Sequence, residues 1–293
     1  MVKLFELIWD SFLDTLTLVP FLFLTYLLME YLEHKTGGAA EKVLKRSRQF
    51  GPAIGSTLGL LPQCGFSSAA AGLYSARVIS LGTLISVFLA TSDEMIAIFI
   101  SRGADLLLLV KVLVVKFVIA LIAGFAINLV VYLIHKRKGV TEDIKIHELC
   151  ERENCKCHHD ILRSTLTHTG KICGFIFVFT FVLNFLVYFV GESNIALLVI
   201  NKPILANILA AVVGIIPNCA SSVIISELFV EGVISAGAFL SGLLVNSGVA
   251  LAVLFRNNRP KKNTWIIVAI LIAISVVVGI VVDLTPLSQW LAV

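Results

Sequence analysis

Apolar runs about twenty residues long recur along the chain, separated by short polar loops. Runs of that length and continuity are read as helices that cross a bilayer, because about 20 residues of helix span its hydrocarbon core. Three such spans are predicted in the first part of the chain, over 11–33, 79–100 and 105–135. Three more are predicted over 171–190, 233–255 and 264–283. The runs are continuous rather than alternating, which argues against a β architecture.

Two further segments, 51–76 and 204–231, are apolar but broken at the centre by Pro62 and Pro217 and by polar neighbours. Each break leaves two arms of about eleven residues, too short to cross separately, so each segment is predicted to be a re-entrant helical hairpin.

The chain also matches itself at a shift of about 155 residues. Gly59, Pro62, Cys64 and Ser67 fall on Gly214, Pro217, Cys219 and Ser222. Val78-Ile79-Ser80 falls on Val233-Ile234-Ser235, and Gly82, Ser86, Leu89 and Ser92 fall on Gly237, Ser241, Leu244 and Ser247. The register continues to Gly124 with Gly279 and Asn128 with Asp283. Shared apolar bias produces stray Leu and Val matches, but not matched Pro, Cys, Gly and Ser at one offset. Such duplication marks many transporters. The expected organisation is a first repeat over 1–138, a polar linker over 139–170 and a second repeat over 171–293. Three spans per repeat is an odd number, so the repeats are expected to be inverted. The fold class is an all-α polytopic membrane protein of ten helical segments, counting each hairpin arm.

Composition agrees: 58% of residues are hydrophobic, 14% are charged, and the mean hydropathy is +0.97. The net charge of +4 is concentrated in the loops carrying Lys42, Lys45, Arg46 and Arg48, then Lys136-Arg137-Lys138, then Arg256 to Lys262. By the positive-inside rule these loops are cytoplasmic, which places both termini outside and the 139–170 linker inside the cell membrane. Charge so distributed answers to a lipid bilayer and makes nucleic acid a poor partner. The first 33 residues lack the basic start of a cleaved signal peptide, since Glu6, Asp10 and Asp14 follow Lys3.

Chemistry concentrates in four places. At the hairpin tips, Gln63, Ser67 and Ser68 face Asn218, Ser221 and Ser222 as partners for freed backbone groups or for a substrate, and Cys64 and Cys219 add soft ligands. The packing alternative is a Pro-kinked helix with Cys as small apolar filler. A second pair of polar interruptions, Thr91-Ser92 and Asn246-Ser247, falls within apolar spans. Asp93 and Glu94 follow the first of these, and intramembrane carboxylates mark ion paths or proton relays. Lys116, about twelve residues into its span, is a candidate counter-charge for them, so the three form an ion-coupling set. Lys111 is expected to snorkel to the surface, and Glu227 in the second hairpin has no assigned role. Finally, Cys155, Cys157, His158 and His159 crowd the linker with Cys150, at a density that suits Zn²⁺, Cu⁺, Cd²⁺ or As(III) but without zinc-finger spacing. A soft metal ion is the only cofactor suggested, in this accessory cluster and at Cys64 and Cys219. Cytoplasmic thiols stay reduced, so a disulfide framework is not expected.

Leu18-Val19-Pro20-Phe21 with Glu30 and Glu33-His34, Pro62-Gln63-Cys64-Gly65-Phe66-Ser67, Ala90-Thr91-Ser92-Asp93-Glu94, Cys155-Lys156-Cys157-His158 and Ile216-Pro217-Asn218-Cys219 resemble the family of ten-helix heavy-metal exporters, whose members are labelled arsenic efflux proteins or manganese transporters. The resemblance runs over nearly the whole chain and implies membrane transport. Thiol chemistry leans toward a soft metal or metalloid rather than manganese. The leading expectation is thus a secondary transporter, in the export direction, of a small inorganic substrate. No phosphate-binding GxxxxGK[ST] loop is present, which favours an ion gradient as energy source. An ion-coupled transporter of an anionic solute is the alternative and a passive channel the third; an enzyme is not expected, as no HExxH or duplicated catalytic set occurs.

Overall fold

The computed structural model describes residues 50–61, 64–138, 169–178, 203–217, 219–258 and 261–291, with isolated positions from 9 to 27 and at 165, 166, 181 and 182. The side chains of Asp93, Glu94 and Cys219 lie outside the described set. Among the described residues there are helices and connecting turns, with no strand.

Helix α1 covers 50–59 and α2 Cys64–Ser75. Then come α3 (Leu81–Ala90), α4 (Asp93–Ser101) and the long α5 (Leu106–Lys138). Helix α6 covers Thr169–Val178. The second series is α7 (Pro203–Gly214), α8 (Cys219–Val230), α9 (Ala236–Val245), α10 (Ala250–Asn257) and α11 (Lys261–Leu284), followed by the single turn α12 (Leu287–Trp290).

Length decides what each element can do in a bilayer. At about 1.5 Å per residue, the 12-residue helices α2, α7 and α8 are roughly 18 Å long, well short of a hydrocarbon core of about 30 Å. Four helical stretches are long and apolar enough to cross: Leu81–Ser101, Leu106–Ile134, Ala236–Asn257 and Lys261–Leu284. These match four of the six predicted spans to within a few residues. The spans predicted at 11–33 and 171–190 fall largely outside the described residues.

Burial separates the four into two layers. Apolar windows of Leu81–Ser101 and Ala236–Asn257 are 75% and 94% buried, while those of Leu106–Ile134 and Lys261–Leu284 are 28% and 33% buried. The first pair is the core and the second the rim. On α5 the exposed Leu107, Val110, Val114, Val118, Ile122, Phe125 and Leu129 recur every three or four residues, a stripe that suits lipid. Leu109, Val112, Lys116 and Ala120 form the buried stripe opposite.

The same contacts recur 155 residues apart. Helix α3 packs on α5 where Gly82 meets Gly124, and a Cβ on Gly82 would run into Gly124 O; α9 packs on α11 where Gly237 meets Gly279, with the same collision. The Gly82 N–H donates to Asn128 Oδ1 at 3.1 Å and the Gly237 N–H to Asp283 Oδ1 at 2.9 Å. Ser80 and Ser235 cap α3 and α9 by accepting from Thr83 N–H and Ala238 N–H. Across the two series, α2 packs on α10 and α8 on α4, while α3 touches α9.

The two broken segments differ in how firmly they are held. Asn207 on α7 donates to Asp283 Oδ2 at 2.8 Å and accepts from Ser241 Oγ at 2.9 Å, tying that arm to α11 and α9. The equivalent of Asn207 on α1 is Pro52, which has no polar side chain. Ile225 on α8 presses on Gly242, whereas the matching Ala70 on α2 helps line an apolar cavity of about 300 Å³. Ile54 and Leu58 of α1 and Phe66, Ala69 and Leu73 of α2 share that lining, so these two arms lie side by side.

Glycine-to-alanine changes test the crossings. Gly in a helix interior costs about 0.5–1 kcal/mol relative to Ala, so Gly174→Ala on α6, where a Cβ meets nothing within 4 Å, leaves the unfolding temperature in detergent unchanged or higher. Gly82→Ala and Gly237→Ala lower it, by an amount set by overpacking of about 1–3 kcal/mol each.

Candidate functional site

Both core spans are interrupted at mid-length. Helix α3 ends at Ala90; Thr91 takes φ −50° and ψ 127°, Ser92 takes φ −138° and ψ 46°, and α4 begins at Asp93. Helix α9 ends at Val245; Asn246 takes φ −70° and ψ 107°, Gly248 has φ 55°, and α10 begins at Ala250. A helix that stops and restarts leaves unpaired C=O groups at the stop and N–H groups at the restart, and inside a bilayer these need partners from the protein.

Short polar side chains supply some. Thr91 Oγ1 donates to Val87 O at 2.8 Å and Ser92 Oγ to Ala90 O at 2.9 Å. Asn246 Oδ1 accepts from the Gly248 N–H at 2.7 Å, while Asn246 Nδ2 donates to Ser221 Oγ at 2.9 Å. That last bond ties the start of α8 to the second interruption.

Lys116 adds a donor at the first interruption. It is wholly buried, and Nζ donates to Thr91 O and, at 3.5 Å, to Leu243 O. One ammonium thus joins the ends of α3 and α9. Helix C-termini carry partial negative charge, which favours a cation there. The sequence reading paired Lys116 with Asp93 or Glu94; those side chains are outside the described set, and the described partners are backbone carbonyls.

Where the first broken segment resumes, Cys64 opens α2 with a half-buried thiol, and Ser67 Oγ donates to Cys64 O at 3.0 Å. Pro62 and Gln63 lie outside the described residues. At the second break, Pro217 follows α7, Cys219 opens α8, and Ser221 Oγ donates to Ile216 O at 3.3 Å; Asn218 lies outside the described residues. Ser222 is buried on α8. Ser68, Ser226 and Ser247 are buried hydroxyls with no hydrogen-bond partner among the described residues. An orphaned buried hydroxyl costs about 1–3 kcal/mol and calls for an explanation. Ser226 was not singled out from sequence; its only signal is one hydroxyl inside the apolar run of α8.

Glu227 gains a role. It accepts from Arg102 Nη2 at 2.7 Å, an ion pair joining the end of α4 to α8. The hydrogen bond and charge of Glu227 push the Arg102 pKa above its ordinary value. Arg102 was missed because it reads as a loop residue. Lys111 donates to Trp290 O at 2.9 Å and lies over the Trp290 ring, so its stem and head are both held. Cys155, Cys157, His158 and His159 lie outside the described residues. Among the described residues, no three His, Cys, Asp or Glu side chains gather as a metal site.

Replacing Lys116 tests the join between α3 and α9. Lys116→Met keeps the stem but leaves Thr91 O and Leu243 O without their donor. The unfolding temperature in detergent falls by the equivalent of about 1–3 kcal/mol; an unchanged value would show that the ammonium does not hold the interruption.

Comparison with known proteins adds one match. The model of the family described as "Putative, 10TM heavy-metal exporter" matches residues 2–190. No curated protein and no solved structure matches the chain. The matched stretch takes in α1 and α2, the α3–α4 interruption, Lys116 and the linker, and stops before α7, so it is shorter than the resemblance read from the motifs. With more than half of the chain matched and four helices fit to cross a bilayer, this is an integral membrane protein that belongs to that heavy-metal exporter family.

Proposed function

We propose that the protein is a secondary transporter that exports a thiophilic heavy-metal ion or metalloid, with the substrate held at mid-membrane between the tips at Pro62-Gln63-Cys64 and Pro217-Asn218-Cys219. The reading rests above all on the interruption of both core spans where they are buried, with Ser247 in the second interruption lacking a hydrogen-bond partner among the described residues. Cys64 and Cys219 provide soft ligands. Gln63, Ser67, Ser68, Thr91 and Ser92 on one side, and Asn218, Ser221, Ser222, Asn246 and Ser247 on the other, provide the oxygen-rich wall. Asp93 and Glu94 open α4 and are assigned the coupling ion, with Lys116 between the two interruptions. The linker cluster of Cys155, Cys157, His158 and His159 collects metal on the cytoplasmic side.

We read 1–138 and 171–293 as inverted repeats. The contacts that recur 155 residues apart support the duplication, and an odd number of spans per repeat supports the inversion. Arms of roughly 18 Å support re-entrant hairpins, the first entering from the cytoplasm and the second from outside. An anionic solute is the second reading. It draws support from α4 and α10 beginning at the interruptions of the buried spans, since helix N-termini favour negative charge.

Thermal unfolding of the purified protein separates the two. Arsenite or Zn²⁺ raises the unfolding temperature and dicarboxylates do not, and the combined change Cys64→Ser with Cys219→Ser removes the effect. Stabilisation by carboxylates alone, or an effect untouched by loss of both thiols, would overturn the soft-ligand site. The topology has its own test. In a cysteine-free background, Ile195→Cys labels from outside intact cells and Lys145→Cys only after permeabilisation; labelling from the same side would contradict the inverted arrangement.

A further inference from the structure

The two interruptions are built alike but completed differently. At the shift of 155 residues, Asn246 falls on Thr91, Ser247 on Ser92 and Leu271 on Lys116. At the first interruption the Lys116 ammonium takes Thr91 O and Leu243 O, and Ser92 Oγ bonds back to Ala90 O. At the second, the register equivalent of Lys116 is Leu271, which is 1% exposed and carries no charge. Here Ser247 Oγ, in a residue 2% exposed, has no partner among the described residues.

We infer that the second interruption is a binding site for a hard monovalent cation of the sodium class, and that Lys116 is its tethered counterpart at the first. The donors that covalent geometry brings together at Asn246 and Ser247 are oxygens: the Asn246 carbonyl, the Asn246 amide oxygen and the Ser247 hydroxyl. The amide oxygen is aimed by its own nitrogen, which is anchored on Ser221 Oγ at 2.9 Å, and by the Gly248 N–H at 2.7 Å. Hydroxyl, amide and carbonyl oxygens suit hard cations. Those three donors are neutral. The cost of transfer into low dielectric grows with the square of the charge, so uncharged ligands favour a single positive charge. The end of α9 adds the negative pole of a half-helix, which the Lys116 ammonium shares through Leu243 O at 3.5 Å. Unwound carbonyls and half-helix ends hold coupling cations in transporters built from repeats, and an ammonium on the matching carbonyl of the same chain shows that this geometry accepts a positive charge.

The cation site rests on the transporter reading and refines it: Asn246 and Ser247 would face a second coupling ion, besides the one assigned to Asp93 and Glu94, and not the substrate itself, and occupancy of the site is measured without any flux. Full-length protein in detergent is unfolded thermally in sodium, potassium or choline chloride at fixed ionic strength. Sodium raises the unfolding temperature saturably over choline, as binding to the folded state requires, and equilibrium binding of radioactive sodium gives one ion per chain. Ser247→Ala weakens the apparent affinity by about tenfold or more, while Ser247→Thr, which keeps the hydroxyl, retains it. Leu271→Lys removes the sodium dependence by supplying the charge internally. No bound sodium in the parent, or a Ser247→Ala protein with the parent's affinity, would overturn the site. Should a variant not fold, the binding measurement on the parent decides alone. Stabilisation by arsenite or Zn²⁺ in the same samples reports separately on the substrate reading.

Discussion

The structure turns on the backbone groups freed where α3 and α9 stop inside the core. A continuous helix satisfies its own backbone; an interrupted one does not, and lipid offers no partner. The cost of the interruptions is met locally by Thr91, Ser92 and Asn246, and at longer range by Lys116 and Ser221. Because Lys116 reaches both Thr91 O and Leu243 O, the two broken spans are held to each other and not only to their own neighbours. The rim helices α5 and α11 then close on this core through glycine crossings that bring backbones together.

The two series share a plan but not a stiffness. The α7 arm is tied by Asn207 to Asp283 and Ser241, and Ile225 fills the space against Gly242. The α1 arm has Pro52 for Asn207, and Ala70 for Ile225 leaves a cavity. The ion pair of Arg102 with Glu227 likewise joins α4 to α8, and its register equivalents on α10 and α2 are Asn257 and Gly72, which carry no charge. Among the described residues, α1 and α2 thus show fewer side-chain hydrogen bonds to α3 and α5 than α7 and α8 show to α9, α11 and Asn246.

Much of this was legible in the chain. Span limits followed from apolar run length, and the four described spans fall close to their predicted bounds because lipid selects on continuous hydrophobicity. The interruptions at Thr91-Ser92 and Asn246-Ser247 were legible because polar pairs inside such runs have few other uses. Less visible were residues whose meaning depends on a distant partner. Lys116 was read against Asp93 and Glu94, whose side chains lie outside the described set; the carbonyls that it also bonds, Thr91 O and Leu243 O, are groups that every residue carries and no sequence pattern marks. Arg102 looked like a loop cation until α8 brought Glu227 beside it. Ser226 is one hydroxyl among apolar neighbours, and only packing shows that nothing bonds to it.

Flux bears most directly on the central claim that the interrupted core moves a thiophilic substrate against its gradient. Purified protein in sealed liposomes, given an imposed ion gradient and radioactive arsenite or zinc, should accumulate the substrate on one side, and collapse of the gradient should abolish that accumulation. Equilibration without accumulation, or uphill movement of a carboxylate in its place, would contradict the account.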